Sequence, residues 1–261
     1  MPTAASPCQY RAQPEDRHRV ATIPATPLRD YLPFLQEQLA LIYQPGRKIR
    51  PWQLWELHNP WSRAAQVTDS WTFLDLCQSQ ALLQRITPFI GKDIILFDSQ
   101  FSPDLLEVGQ PARVWQNDRR RCPVTPLRAL VVRIPIPGRI DAGATFSYKA
   151  EQGEARTLDY TGDTIICHDA DLDYRIEGTV IEDPGIEAPG QQPSEYVIRY
   201  FPATSRYLRD PTATTHRQLT ERYPLLNYAK MPLWLVQGED QADNDFVTGF
   251  QPKAGRWVAG G

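Results

Sequence analysis

Residues 127–136 read LRALVVRIPI, a run rich in β-branched side chains. Such a run is typical of a β-strand, because branched side chains pack well on a pleated surface. Further apolar runs predict further strands at 93–97, 164–167, 195–201 and 233–236. Turns that contain Pro and Gly separate these runs, so we predict a mainly β fold.

Helices are predicted before most of these strands. After Thr26, apolar residues recur at three- and four-residue spacing, with Pro27 as the first helical position and Pro45-Gly46 as the stop. A second helix opens at Asp69 and runs toward Thr87. We interpret the tryptophans of this region as core aromatics. Helices that flank a β core predict a sandwich or an open barrel.

The size of the chain favours one domain. It has 261 residues, 41% of them hydrophobic, which is enough to bury one good-sized core. Residues 1–25 lack periodicity and are predicted to be a flexible arm, followed by a single domain over residues 26–261. Residues 181–192 are loop-like because of their prolines and glycines, and whether they form a lid is left open.

Composition excludes several classes of function. The formal charge of −3 disfavours a nucleic-acid partner, because binding to phosphates needs clustered Lys and Arg. No apolar run approaches the roughly 20 residues of a membrane helix, and no hydrophobic signal core is present, so we expect a cytoplasmic protein without membrane contact. The 4 cysteines form no C-x-x-C pair and are predicted to be reduced thiols. A small molecule is the expected partner, and the oligomeric state is left open.

Several segments resemble, in order, the phytanoyl-CoA dioxygenase family of Fe(II)/2-oxoglutarate oxygenases. The segments are 57–60, 82–100, 115–118, 162–168, 197–203 and 232–240. The resemblance covers roughly two-thirds of the chain. It implies a mainly β fold with flanking helices, namely the double-stranded β-helix, which is a jelly roll of the cupin-like kind.

The iron site implied by this resemblance is degenerate in the sequence. In the family, two histidines and one carboxylate bind ferrous iron and leave positions open for 2-oxoglutarate and oxygen. The first histidine position is Gln116 here, the carboxylate survives as Asp118, and the second histidine position is Asp173. The arginine that clamps 2-oxoglutarate matches Pro193. We therefore expect no cofactor, although Fe(II) and 2-oxoglutarate would be required if Gln116, Asp118 and Asp173 form a rewired ligand set.

Three other residues are candidates for the same site. His168 is a candidate general base, because an imidazole near its ordinary pKa is partly neutral at working pH, and the competing interpretation is a structural histidine. Trp115 and Arg199 are predicted to line a substrate pocket, Arg199 as the match to a framework arginine of the family.

Two clusters have competing interpretations. The carboxylates of Asp169, Asp171 and Asp173 would share one face of an uninterrupted strand, where they could bind a hard cation or form a solvated edge. Arg119–Arg121 could meet an anion or be solvated charge, and Cys122 beside it is a candidate thiol of lowered pKa.

Three functions remain compatible with the sequence. The favoured one is a former oxygenase cavity that binds a small organic metabolite or acts on it without iron, in a non-oxidative step. Asp118, Gln116, Asp173 and His168 would be the catalytic residues. The second is an active Fe(II)/2-oxoglutarate oxygenase with an unusual ligand set, and the third is a non-catalytic partner protein. Fold resemblance alone does not choose among them, so whether the protein is an enzyme is left open.

Overall fold

The computed structural model describes residues 20–44, 51–102, 115–140, 142–150, 153–178, 193–222, 228–246, 250–251 and 256–257. Residues 1–19 of the predicted arm and the predicted loop 181–192 lie outside these ranges. In the part of the chain that the structure describes, no helix is long and apolar enough to cross a membrane.

Antiparallel strands form the framework. The strands are β1 Val20–Pro24, β2 Ile94–Ser102, β3 Val124–Thr125, β4 Leu130–Pro135, β5 Thr145–Lys149, β6 Ala155–Asp159, β7 Thr164–Asp169, β8 Tyr174–Glu177, β9 Glu195–Pro202, β10 Arg206–Tyr207, β11 Trp234–Gln237, β12 Phe250–Gln251 and β13 Arg256–Trp257. A large sheet has the order β1-β7-β4-β9-β2-β11, and a smaller one has the order β6-β5-β8. Two short ribbons, β10-β3 and β12-β13, complete the set. The predicted mainly β, jelly-roll fold is confirmed.

The inner face of the large sheet meets the smaller sheet across the barrel interior. The ring of His168 on β7 lies 5.4 Å from that of Phe146 on β5 and 4.8 Å from that of Tyr174 on β8, between centroids. Val131 on β4 is paired with His168 on one side and with Arg199 on the other. Because side chains of paired residues project to the same face, Arg199 also faces the interior.

Helices cover the outer face of the large sheet. They are α1 Leu32–Ile42, α2 Ser70–Cys77 and α3 Gln80–Ile90. A fourth helix, α4 Thr214–Arg222, contacts the 3-10 turns Arg119–Arg121 and Tyr228–Lys230 instead. The hydroxyl of Tyr200 on β9 donates to the Cys77 carbonyl oxygen at 2.7 Å, and Phe73 packs on Tyr196 with centroids 5.0 Å apart. The apolar stripe of α1, including Leu35 and Leu39, is fully buried. Each such leucine stabilises the fold by about 1.5–3 kcal/mol.

Three sequence predictions need correction. Trp61 and Trp71, interpreted as core aromatics, are 54% and 56% exposed. Val20–Pro24, placed in the flexible arm, pairs with β7 and covers its edge, a role that a five-residue segment does not reveal by periodicity. The helix predicted from Asp69 toward Thr87 is two helices, because the Gln78 backbone N–H turns back to the carbonyls of Leu74 and Leu76 and ends α2. Asp69 does cap α2, since its carboxylate accepts from the Thr72 backbone N–H at 3.2 Å.

Candidate functional site

Backbone pairing places the segment that holds Asp118 beside β8. Gln116 and Tyr174 of β8 exchange two backbone hydrogen bonds of 2.8 Å, and the Asp118 N–H donates to the Ala170 carbonyl oxygen at 3.0 Å. Because side chains alternate along an extended chain, residues 116 and 118 share the face of Tyr174, which is the interior. The Asp118 side chain is buried, whereas Gln116 is half-buried.

Two buried arginines bind both oxygens of the Asp118 carboxylate. Arg199 donates to Oδ1 from Nη2 at 2.6 Å and from Nε at 3.2 Å, and Arg133 Nη2 donates to Oδ2 at 3.1 Å. The Tyr174 hydroxyl donates to Oδ2 at 3.0 Å. Burial alone would raise the pKa of Asp118, but the charges of Arg199 and Arg133 outweigh it and hold the pKa well below its usual range. Asp118 is therefore a fixed anion.

Arg133 is the centre of the interior network. Its Nε donates to Nε2 of His168 at 3.0 Å, its Nη1 pairs with the Glu195 carboxylate, and its Nη2 reaches Asp118 and the Tyr174 hydroxyl. Arg133 is only 3% exposed and Glu195 is fully buried. A guanidinium thus joins two carboxylates and one imidazole in the middle of the barrel.

His168 is held neutral by this arrangement. Its Nδ1 lies 3.0 Å from the Asp169 carbonyl oxygen, which can only accept, so Nδ1 carries the proton and Nε2 accepts from Arg133. Burial, together with the charge of Arg133, lowers the pKa of His168 to about 3. The lone pair that a general base needs is bound to Arg133, so the geometry favours the structural interpretation of His168.

Asp173 lies in a separate, outer cluster. Its carboxylate accepts from Asn117 Nδ2 at 3.0 Å and from Lys149 Nζ at 3.2 Å, and its side chain is 39% exposed. The hydrogen bond from Asn117, followed by that from Lys149, lowers the pKa of Asp173. Among the described contacts, none joins Asp173 to Asp118, so the structure does not bring the three triad-equivalent positions together.

Trp115 belongs to this outer cluster as well. Lys149 Nζ and the Arg175 guanidinium lie 5.0 Å and 4.9 Å from the centroid of its ring. Trp115 and Asn117 alternate with the inward-facing positions 116 and 118, which explains why they lie on the other face. The structure therefore separates Trp115 from Arg199, the second predicted pocket residue, which is fully buried in the network.

The other clusters also differ from the sequence interpretation. β7 ends at Asp169 and β8 begins at Tyr174, so the three aspartates do not share a strand, and Asp171 pairs with Arg119. In the described ranges, no group of three His, Cys, Asp or Glu side chains is arranged to hold a metal ion. Burial raises the pKa of Cys122, so the predicted lowered-pKa thiol is wrong. Among the described residues, Cys77, Cys122 and Cys167 form no disulfide.

As arranged, these residues do not fit an iron ion. The oxygens of Asp118 accept from Arg199, Arg133 and Tyr174. The two guanidinium groups donate to these oxygens at 2.6 Å and 3.1 Å, and their positive charges would repel a divalent cation bound there. Asp173, at the second histidine position, is held in the outer cluster by Asn117 and Lys149. Binding iron here would require both sets of contacts to break, and the break at Asp118 would leave the buried Arg133 and Arg199 guanidinium groups short of a counter-charge.

Sequence reasoning missed several residues of the interior. Arg133 lies inside LVVRIP, Glu195 opens EYVIRYF, and Asp98 lies inside IILFDSQ. A charge inside an apolar strand run is a usable signal, because a buried charge must find a counter-charge. Arg199 Nη1 binds Oδ2 of Asp98 at 2.6 Å, which adds a third carboxylate to the network.

The fold has known relatives among solved structures. No family model matches the chain, and no curated protein matches it. The apo form of ThoJ, a non-heme monooxygenase, is similar with 13% identity and a TM-score of 0.53, over 86% of this chain and 82% of that one. CytC3 is similar with 13% identity and a TM-score of 0.53, over 88% of each chain. SnoN, a non-heme alpha ketoglutarate dependent epimerase from nogalamycin biosynthesis, is similar with 11% identity and a TM-score of 0.50, over 73% of this chain and 79% of that one.

Similarity at these identities establishes the fold and does not transfer an activity. The two facing sheets and the inward positions 116 and 118 agree with that fold. The chain therefore has a double-stranded β-helix fold, which it shares with these solved proteins.

Proposed function

We propose that this protein resembles the phytanoyl-CoA dioxygenases and binds a small organic metabolite, or acts on it, inside the barrel without iron. The observation that carries the proposal is the Arg133 guanidinium, which joins Asp118, Glu195 and His168 where the family would place a metal. The proposed chemistry is a non-oxidative tailoring step such as isomerisation, cyclisation or elimination. Asp118 and His168 then position the network and do not transfer protons, because their donors and acceptors are bound.

An unpaired polar side chain supports a ligand in the interior. Gln100 on β2 is fully buried, and neither atom of its carboxamide has a hydrogen-bond partner among the described residues. An unsatisfied buried amide costs about 1–3 kcal/mol, so such groups are usually paired by protein, ordered water or a ligand. Gln100 is opposite Val197 of β9, and Val197 is opposite Arg133 of β4, so the amide lies on the face of the Arg133 network.

The active-oxygenase alternative needs a different arrangement. CytC3 has been solved with Fe(II) and alpha-ketoglutarate and is similar with a TM-score of 0.50 and 13% identity, over 93% of each chain. For this chain to bind the same pair, Asp118 would have to leave two arginines and Asp173 would have to leave the outer cluster. Both movements count against this alternative.

Ligand-induced thermal stabilisation in the presence of a metal chelator tests the proposal. A panel of small metabolites is screened against the wild type and the Gln100→Leu variant, which fills the position of the amide with apolar atoms. We expect at least one compound to raise the melting temperature of the wild type and not that of Gln100→Leu. A parallel series omits the chelator and adds Fe(II) and 2-oxoglutarate. Stabilisation that appears only in that series, when both are present, would favour the oxygenase. No response to any compound in either series would favour a non-catalytic partner protein.

A further inference from the structure

We infer that Glu56, Asp98 and Gln100 form a subsite for a small organic amine that carries a hydrogen-bond acceptor next to its ammonium group. This inference rests on the proposed function, because it names the class of molecule that the interior would hold. The subsite lies on the β2 side of the interior, where Asp98 is bound by Arg199 and not by Arg133.

Asp98 and Gln100 present unpaired atoms on one face of β2. The two residues are separated by one position after the irregularity between Leu96 and Asp98, so their side chains project to the same side. Arg199 binds Oδ2 of Asp98, whereas Oδ1 has no hydrogen-bond partner among the described residues. Oε1 and Nε2 of Gln100 are equally unpaired there. Three buried polar atoms, two acceptors and one donor, therefore face the interior.

Glu56 extends this group toward solvent. Trp55 is bridged to Gln100, and the Leu57 N–H donates to the Ser99 carbonyl oxygen at 3.1 Å, so Glu56 lies alongside β2. Glu56 is half-buried, whereas Gln100 is fully buried, so Glu56 is the member of the group that lies nearer to solvent. Its φ of 51° is a left-handed conformation that non-glycine residues rarely adopt, and such backbone strain is concentrated at functional sites.

Among the described residues, the carboxyl groups of this region outnumber the guanidinium groups that act on them. Four carboxyl groups, those of Glu56, Asp98, Asp118 and Glu195, influence one another or the same arginines in this region. Three guanidinium groups, those of Arg121, Arg133 and Arg199, act on them. Burial raises the pKa of Asp98 despite Arg199, and burial together with Asp98 raises the pKa of Glu56 to about 7. Both pKa values are raised, as expected for a buried carboxylate that lacks part of its counter-charge.

The chemistry of Gln100 selects an amine over a metal ion. An ammonium N–H group donates to Asp98 Oδ1 and Gln100 Oε1, which only accept. Gln100 Nε2 is a donor, so it needs an acceptor on the ligand, such as a hydroxyl or carbonyl oxygen near the ammonium. A metal ion would bind the oxygens alone and leave Nε2 unpaired. An amino alcohol or an amino carbonyl compound satisfies all three atoms.

Thermal denaturation with matched probes tests this subsite. Ethanolamine hydrochloride is compared with propylamine hydrochloride, ethylene glycol, sodium propionate and magnesium chloride, at equal ionic strength and pH 7.5. We expect ethanolamine to raise the melting temperature of the wild type by several degrees at tens of millimolar, and more than propylamine does. The response should disappear in Gln100→Leu and Asp98→Asn and persist in Asp30→Asn, whose carboxylate is exposed on the surface.

The outcomes separate this inference from the proposed function. A response to ethylene glycol or propionate that depends on Gln100, without one to ethanolamine, would overturn the amine assignment and keep a ligand in the barrel. A response to magnesium chloride alone would replace the amine with a metal ion and contradict both. Gln100→Leu removes no charged group, so this variant leaves no buried charge without a partner. If ethanolamine raises the melting temperature of Gln100→Leu as much as that of the wild type, the subsite does not exist.

Discussion

Replacing Arg133 with methionine should destabilise the protein strongly. The variant keeps much of the side-chain volume but removes the donor to His168 Nε2, the counter-charge of Glu195 and one of the two arginines on Asp118. Removing one partner of a buried ion pair costs about 3–5 kcal/mol, because the remaining charge stays buried without compensation. Against a total stability of about 5–15 kcal/mol, that loss is large.

Urea unfolding at several pH values measures this effect and gives it a signature. In the wild type, the pKa of His168 is lowered to about 3. The contribution of neutral His168 to stability is therefore complete above pH 6.5 and is lost as the pH falls from 6.5 toward 3, where only the unfolded chain takes up the proton. Without Arg133, His168 Nε2 is free to take up a proton beside Asp118 and Glu195. The stability of Arg133→Met should therefore rise as the pH falls from 8 to 6.

Two further variants make this test decisive. Arg128→Met changes an exposed arginine just before β4 and should alter stability by no more than about 0.5 kcal/mol. Arg133→Met/Glu195→Gln removes the stranded carboxylate and should recover part of the loss. An Arg133→Met protein within about 1 kcal/mol of the wild type at pH 7.5, with the same pH dependence, would refute the central role of Arg133.

Three other substitutions have defined outcomes. Tyr160→Phe removes the hydroxyl that donates to Glu195 Oε2 at 2.6 Å. Urea unfolding should show that the free energy of unfolding falls by about 1–3 kcal/mol, because the Glu195 oxygen is left buried and unpaired. An unchanged urea midpoint would mean that water replaces the hydroxyl. Glu56→Gln should flatten the pH dependence of stability between pH 5 and 8. The pKa of Glu56 is raised to about 7, so protonation of Glu56 stabilises the folded wild type as the pH falls. This stabilisation is about 1–2 kcal/mol after allowance for partial exposure. Equal slopes in the two proteins would contradict this. Gly238→Ala should lower the melting temperature, because the residue has a φ of 77° and a Cβ there would lie 2.8 Å from the Cα of Asp93; calorimetry that shows no change would mean that this turn is adaptable.

The sequence predicts the large sheet better than the interior site. The run that contains Val131 and Val132 and the run around Ile198 are long and apolar, so their pattern alone identifies central strands. The smaller sheet is harder to predict, because strands such as β6 alternate half-buried and exposed side chains over only five residues. Val20–Pro24 is a strand only because β7 offers an open edge.

The site depends on pairing across distant strands. Arg133, Glu195 and His168 are far apart in sequence, and nothing in their local runs indicates that they meet. The resemblance to a family directed attention to Asp118, which lies in the interior network, but it grouped Asp118 with Asp173. Alternation and the turn before β8 carry Asp173 to the outer face. A search for charges inside apolar runs would have found Arg133, Asp98 and Glu195 without any family.

An anaerobic titration with Fe(II) and 2-oxoglutarate tests the central claim most directly. Bound iron per chain and the charge-transfer absorption of an iron–2-oxoglutarate complex are measured for the wild type and for Asp118→Asn, with folding checked by circular dichroism. Our account predicts no stoichiometric iron and no absorption band in either protein, because Arg133 and Arg199 already occupy the Asp118 carboxylate. One iron per chain with a 2-oxoglutarate-dependent band in the wild type, both lost in Asp118→Asn, would contradict it.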